Sequence, residues 1–171
     1  SEMPIPDRIP TGSLMLDYIL CGGIPTRRLS QFFSKEGTGK SVQAYHCINN
    51  ALKKYPDRIA VLVDTEQRAD KEWIKNFVDD MDRLYIMQPE FIEDVTDDLK
   101  KILEIMDVSI VVVDSIGAAN TYRSADKSAR QMEVGGTAMG VGKFCRAIAP
   151  IANRNNIAVT RNHFYICKRI I

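Results

Sequence analysis

Ser34-Lys35-Glu36-Gly37-Thr38-Gly39-Lys40-Ser41 follows a short strand, Leu29 to Phe33, and precedes a helical pattern from about Ser41 to Lys54. A glycine-rich turn between a strand and a helix lets successive backbone N–H groups point inward, and the helix start adds the positive end of its dipole. Clustered negative oxygens, as on a triphosphate, are what such a loop suits. The spacing is that of a P-loop, G-x-x-x-x-G-K-[ST], with Ser34 standing where the pattern has its first glycine. On this reading Glu36, Gly37, Thr38, Gly39 and Lys40 surround the phosphates of ATP, with Lys40 reaching the β- and γ-phosphates, and Ser41 offers its hydroxyl to Mg²⁺. A serine at a position needing φ > 0 would be strained, so Ser34 is the residue at which the loop is expected to distort.

The remaining pattern decides the fold. Ile59 to Val63 and Val108 to Val113 are almost purely apolar, as strands covered on both faces are. Leu84 to Met87 reads as a further strand, and Ile157 to Val159 begins a last one. Between them lie helical periodicities over Lys71 to Asp80, Ile92 to Met106 and Gly136 to Asn153. Ser13 caps a short helix, Leu14 to Leu20, which ends at Gly22-Gly23. Strands alternating with helices predict an α/β domain, a mostly parallel, doubly wound sheet with helices on both faces. The 171 residues form one such domain, with residues 1–12, which hold Pro4, Pro6 and Pro10, as an extended lead-in. In such sheets ligands bind beyond the carboxyl ends of the strands. The residues after Phe33, Val63, Val113 and Val159 are therefore expected to meet.

Those residues include acids. Asp64-Thr65-Glu66 follows one apolar strand, and Glu66 is placed to polarise an attacking water. Asp114-Ser115 follows the other in the Walker-B manner, so Asp114 is expected to hold Mg²⁺, with Ser41 on the same ion. His163, after Asn162, lies beyond the last strand, where it can bond to a γ-phosphate and report its loss. Asp70 and Trp73 lie shortly after Glu66. A tryptophan can stack on adenine and an acid can accept from its amino group, although Trp73 reads equally well as a core anchor of its own helix. Arg123, Lys127 and Arg130 in a polar segment, with Lys143 and Arg146 beyond, suit a nucleic-acid backbone or merely a solvated face.

Composition narrows the rest. Lys and Arg number 23 against 22 for Asp and Glu, so net charge says nothing for or against a polyanionic partner. No apolar run is long enough to span a bilayer, and Ser-Glu-Met-Pro-Ile-Pro has no signal-peptide pattern. Cys21, Cys47, Cys145 and Cys167 include no C-x-x-C pair. They read as reduced, mostly buried thiols rather than a zinc site.

These residues together resemble RecA-type recombinases, especially the phage UvsX-like strand-exchange branch. Ile9-Pro10-Thr11-Gly12-Ser13-Leu14-Met15-Leu16-Asp17 is similar to the segment before the family's core, and Ser34 to Ser41 to its P-loop except at Ser34. Asp64-Thr65-Glu66 matches the strand end bearing its catalytic glutamate. Asp70 and Trp73 fall at its adenine-contacting acid and stacking aromatic, Val111 to Ser115 at its Walker-B strand, and Asn162-His163 at the phage form of its γ-phosphate sensor. Residues from Asn120 to about Gly136 correspond to its first DNA-binding loop.

The resemblance implies a RecA-like core and a DNA-dependent ATPase using ATP and Mg²⁺, which assembles as a homo-oligomeric helical filament on single-stranded DNA and exchanges strands. It further implies a cytoplasmic setting, in the bacterial host if phage-encoded, with single-strand-binding or mediator proteins as partners and no membrane. Rival readings are an ATP-binding paralogue with little hydrolysis and a hexameric helicase motor. After the sensor asparagine the family has a second DNA-binding loop, a helix and further strands. Here Phe164-Tyr165-Ile166-Cys167-Lys168-Arg169 follows at once and looks like a later core strand. Residues 157–171 as one strand would exceed the usual 3–10 residues, so a segment is expected to be absent between His163 and Phe164.

Overall fold

A computed structural model describes residues 5–35, 37–115 and 136–164, with side chains from Ala138 through Asn162 in the last stretch. The elements in chain order are β1 (Arg8–Ile9), α1 (Leu14–Ile19), β2 (Ile24–Pro25), β3 (Leu29–Ser34), α2 (Lys40–Lys54), β4 (Ile59–Asp64), α3 (Lys71–Ile74), β5 (Leu84–Met87), α4 (Ile92–Ile105), β6 (Val108–Asp114), α5 (Gly136–Asn155) and β7 (Ala158–Phe164). Five strands form one sheet in the order β3-β7-β6-β4-β5, and every pairing in it is parallel. From β3 the chain skips two strand positions to reach β4, and β6 and β7 later fill them.

The apolar runs are explained by burial on both sides. Side chains alternate across a strand. Ala60 and Leu62 of β4, with Ile110 and Val112 of β6, pack on the face that α2 covers through Ala44, Ile48, Ala51 and Leu52. Val61, Val63, Val111 and Val113 pack on the other face, against Val95, Leu99 and Leu103 of α4 and Phe144, Ile148 and Ala152 of α5. Each fully buried side chain of this kind is worth about 1.5–3 kcal/mol relative to exposure. The sheet with helices on both faces is the α/β architecture expected.

The lead-in is more than extended chain. Arg8 and Ile9 pair antiparallel with Pro25 and Ile24, so β1 and β2 make a two-stranded ribbon. Gly23 permits this close approach: its φ is +119°, and a Cβ there would lie 2.1 Å from the Ile9 carbonyl oxygen. The ribbon is clamped to the end of α2 by Asp7, whose carboxylate accepts from Lys54 Nζ at 2.6 Å and from the Tyr55 hydroxyl at 2.5 Å. Thr11 and Pro10 are held from the same helix, as Gln43 donates to the Thr11 carbonyl and Asn50 to that of Pro10. Ser13 caps α1 as expected, accepting from the Leu16 amide.

The helix expected over Lys71 to Asp80 is a single turn, Lys71–Ile74. Asp70 starts it by accepting from the Glu72 amide. The apolar spacing that suggested a longer helix is real, because Ile74 and Val78 are both buried, but turns carry the chain between them. Among the described cysteines, Cys47 is buried, Cys145 half-buried and Cys21 exposed, and all three are free thiols. β7 takes in both His163 and Phe164, whose backbones are in register with Phe33 and Ser34.

Candidate functional site

Parallel pairing puts the carboxyl ends of β3, β4, β6 and β7 along one edge of the sheet. Asp64 and Asp114 are register partners at the ends of β4 and β6. Asn162 of β7 donates from Nδ2 to Asp114 Oδ1 at 3.1 Å. Phe32 of β3 is the register partner of Asn162, and Ser34 closes β3 two residues on. The convergence expected from strand order is therefore present.

The loop after β3 has left-handed backbone at Gly37 (φ +74°) and Gly39 (φ +88°), and Gly39 is the N-cap residue of α2. A Cβ at either glycine would meet nothing within 4 Å. These glycines thus answer a backbone demand rather than a steric one, and they leave open space beside the loop. Ser34 corrects the expectation of strain. Among the described residues the left-handed non-glycine positions are Cys21, Arg27, Gln67, Ser115 and Asn156. Ser34 is an ordinary strand residue, because the position where the pattern has its first glycine is here the last residue of β3.

Lys40 is buried despite its charge, at 9% exposure. Its Nζ donates to the carbonyl oxygens of Lys35 (2.7 Å) and Ser34 (3.2 Å) and to Ser34 Oγ (3.1 Å). Thr38 Oγ1 donates to the Lys35 carbonyl at 2.9 Å and contacts Ser34 Oγ. Ser41, one residue into α2, is half-buried. Glu36 lies outside the described residues.

The two acids at the strand ends differ in role. Asp64 is almost fully buried and accepts from the amides of Glu66 (3.2 Å) and Ala69 (2.6 Å) and from Gln88 Nε2 (3.2 Å). It fixes the loop that carries Glu66 and ties it to the end of β5. Glu66 itself keeps 18% side-chain exposure and pairs with the exposed Arg68 at 3.1 Å. Asp114 is half-buried, and Thr65 Oγ1 supports its turn by donating to the Asp114 and Ser115 carbonyls at 3.0 and 2.8 Å. The turn needs support because Ser115 has φ +60°, a conformation that costs a non-glycine residue about 1–3 kcal/mol. Burial raises the phenol of Tyr45, on α2, to about 12, and the nearby charges of Asp114 and Asp64 add to the effect.

Trp73 is not a core anchor. It is 54% exposed and meets Phe77 edge-on, with centroids 5.3 Å apart. Asp70, its neighbour, is engaged as the cap of α3. The His163 side chain and all of Arg123, Lys127 and Arg130 lie outside the described residues. Lys143 and Arg146 are exposed on α5. Sequence reasoning overlooked Thr65 and Gln88, which organise the strand ends, and treated Asn162 only as the neighbour of His163. The sequence carried half of the signal for Asn162: an asparagine in a buried strand needs partners, but that Asp114 is its neighbour follows only from the pairing of β6 with β7.

The donor set suits a nucleotide with a hard divalent cation: an inward lysine, two left-handed glycines with open space beside them, a serine hydroxyl at the helix start, and a carboxylate on a neighbouring strand. Among the described residues no group of three or more His, Cys, Asp or Glu side chains is arranged to cage a metal. Magnesium characteristically needs only one or two protein ligands where phosphates and water supply the rest.

An all-parallel α/β core with its glycine loop, acids and asparagine at one sheet edge defines the class, and comparison with known proteins defines the family within it. The model of the RecA N-terminal domain matches residues 3–166. Protein RecA of Aquifex pyrophilus is 31% identical over 154 residues, which are 90% of this chain and 44% of that protein. Protein RecA of Thermotoga petrophila is 31% identical over 152 residues, 88% of this chain and 42% of that protein, and that of Campylobacter lari 29% over 154 residues, 90% and 44%. The chain belongs to the RecA family, and it spans less than half the length of these relatives.

Proposed function

We propose that this chain is the ATP-binding and ATP-hydrolysing core of a DNA recombinase that assembles as a helical filament on single-stranded DNA and promotes strand exchange. The observation that carries the reading is that Lys40 is held to the end of β3 through Ser34, on the same sheet edge where Asn162 of β7 donates to Asp114 of β6. Its membership of the RecA family supports the biological setting, including a cytoplasmic location and mediator or single-strand-binding partners. The UvsX-like assignment rests on Asn162-His163.

In this reading the amides of residues 36–40 and the Lys40 ammonium bind the β- and γ-phosphates. Ser41 and Asp114 would hold Mg²⁺, which when bound neutralises developing charge on the phosphate oxygens. Glu66 orients the attacking water and accepts its proton, and Asp64 fixes the loop from which Glu66 reaches. Asp70 and Trp73 take the adenine, an assignment favoured by the exposure of the Trp73 ring. His163 senses the γ-phosphate, and Arg123, Lys127 and Arg130 contact the DNA backbone. The reading retains an absent segment between His163 and Phe164, to be checked by peptide mapping of the natural protein across that step.

The deciding experiment is steady-state ATP hydrolysis, titrated with single-stranded DNA at two salt concentrations. DNA should stimulate turnover, less so at high salt because phosphate contacts release counterions. Lys40→Ala and Glu66→Gln should each abolish stimulated turnover. Unchanged hydrolysis in both variants would overturn the assignment. The same fold and loop would serve an ATP-binding paralogue, which would bind nucleotide at the wild-type loop without DNA-stimulated turnover.

A further inference from the structure

We infer that the Ser34 hydroxyl is a positioning group for Lys40, holding the lysine within the loop so that a nucleotide must compete for it. The inference rests on the nucleotide-binding reading of the loop and concerns a residue that departs from the P-loop pattern. An ammonium is a donor only, and among the described residues Lys40 Nζ donates to the Ser34 and Lys35 carbonyl oxygens and to Ser34 Oγ. Two of these are backbone and would survive any substitution at position 34. The third exists only because a serine stands there.

The hydroxyls tie the loop together. Thr38 Oγ1 donates to the Lys35 carbonyl and contacts Ser34 Oγ. The Ser34 hydroxyl has the same Lys35 carbonyl as an acceptor at 3.3 Å, so its proton is engaged within the loop while its oxygen accepts from Lys40. Ser34, Lys35, Thr38 and Lys40 thus form one hydrogen-bonded cluster joining the end of β3 to the first residue of α2. A glycine at position 34 removes the hydroxyl from this cluster. A phosphate oxygen that draws on a Lys40 proton has to compete with these acceptors, and the hydroxyl, in a half-exposed residue, is the one that sequence can add or remove.

The test is ATP binding by the full chain with Mg²⁺, measured by titration calorimetry and by displacement of a fluorescent ATP analogue, alongside steady-state KM and kcat. Ser34→Gly and Ser34→Ala should each tighten ATP binding by about three- to tenfold, the scale of one partly exposed hydrogen bond to a charged group. KM should fall while kcat moves less than about twofold. Ser34→Thr, which restores a hydroxyl, should stay close to wild type, a rescue that mere tolerance of the strand end would not produce. Binding that is unchanged or weaker in both Ser34→Gly and Ser34→Ala overturns the inference while leaving the nucleotide reading intact, as does a Ser34→Thr variant that behaves like Ser34→Ala. Failure of the wild-type chain to bind Mg–ATP overturns both.

Discussion

Asn162 donates a hydrogen bond from Nδ2 to Asp114 Oδ1, 3.1 Å away, joining the ends of two adjacent parallel strands. The direction fixes the amide, because a carboxylate oxygen can only accept. It leaves Asn162 Oδ1 buried and without a partner among the described residues. A buried acceptor of this kind costs about 1–3 kcal/mol when unsatisfied, so Asn162 occupies its place at some expense to stability.

Asn162→Leu should remove both that cost and the support of Asp114. Thermal stability should change by no more than about 1 kcal/mol, since an apolar side chain of similar size replaces a half-satisfied amide. The Mg²⁺ concentration giving half-maximal ATP hydrolysis should rise several-fold. A magnesium titration of Asn162→Leu that overlays wild type would show that Asp114 needs no such support.

Gly37→Ala and Gly39→Ala isolate the backbone demand of the loop. No atom lies within 4 Å of either added Cβ, so the cost is conformational, about 1–2 kcal/mol for an L-residue held in left-handed geometry. The loop is expected to relax rather than bear that cost. ATP affinity should therefore fall by at least about tenfold, while the urea midpoint shifts little. Circular dichroism and nucleotide titration on the same samples separate the two effects.

The core is a different matter. Phe144 is completely buried against the sheet face that α4 and α5 cover, and Phe144→Ala should cost about 3–5 kcal/mol. Ile105, at the end of α4, is 83% exposed, and Ile105→Ser should stay within about 0.5 kcal/mol of wild type. Equilibrium urea unfolding of the two variants is the check.

Acid should loosen the N-terminal ribbon. The hydrogen bond from Lys54, then that from Tyr55, lowers the Asp7 carboxyl from 3.8 to about 2. A depressed carboxylate contributes stability that is present in full above its unfolded value and disappears as pH falls through its folded value. The contribution of Asp7 should therefore fade between about pH 4 and pH 2. The group is partly exposed, so the effect is modest and shrinks with added salt. Asp7→Asn should flatten the pH dependence of the melting temperature in that window and, near neutrality, should melt slightly below wild type, because there the carboxylate contribution is present in full. A wild-type slope retained in Asp7→Asn would place the acid-sensitive group elsewhere.

Much of this protein was legible along the chain. Val61, Val63, Val111 and Val113 announced strands buried on both faces, because only such strands dispense with polar alternation. Gly37, Gly39, Lys40 and Ser41 announced the loop, because each is needed for a local property of backbone or side chain. Asp114 could be placed at a strand end by its position after an apolar run.

What the chain order could not supply is which distant residues share an edge. Only the sheet order β3-β7-β6-β4-β5 brings Asn162 to Asp114 and makes Asp64 an acceptor for Gln88 rather than a second free acid. Tertiary context also ended α3 after one turn, since burying Ile74 and Val78 does not require helix between them. It likewise freed Ser34 from strain, because the end of β3 reaches the position where the motif alone suggested a glycine conformation. Local propensity and apolar period act over a few residues and are written in sequence. Strand order and hydrogen-bond partnership depend on contacts between residues tens of positions apart, and only folding sets them.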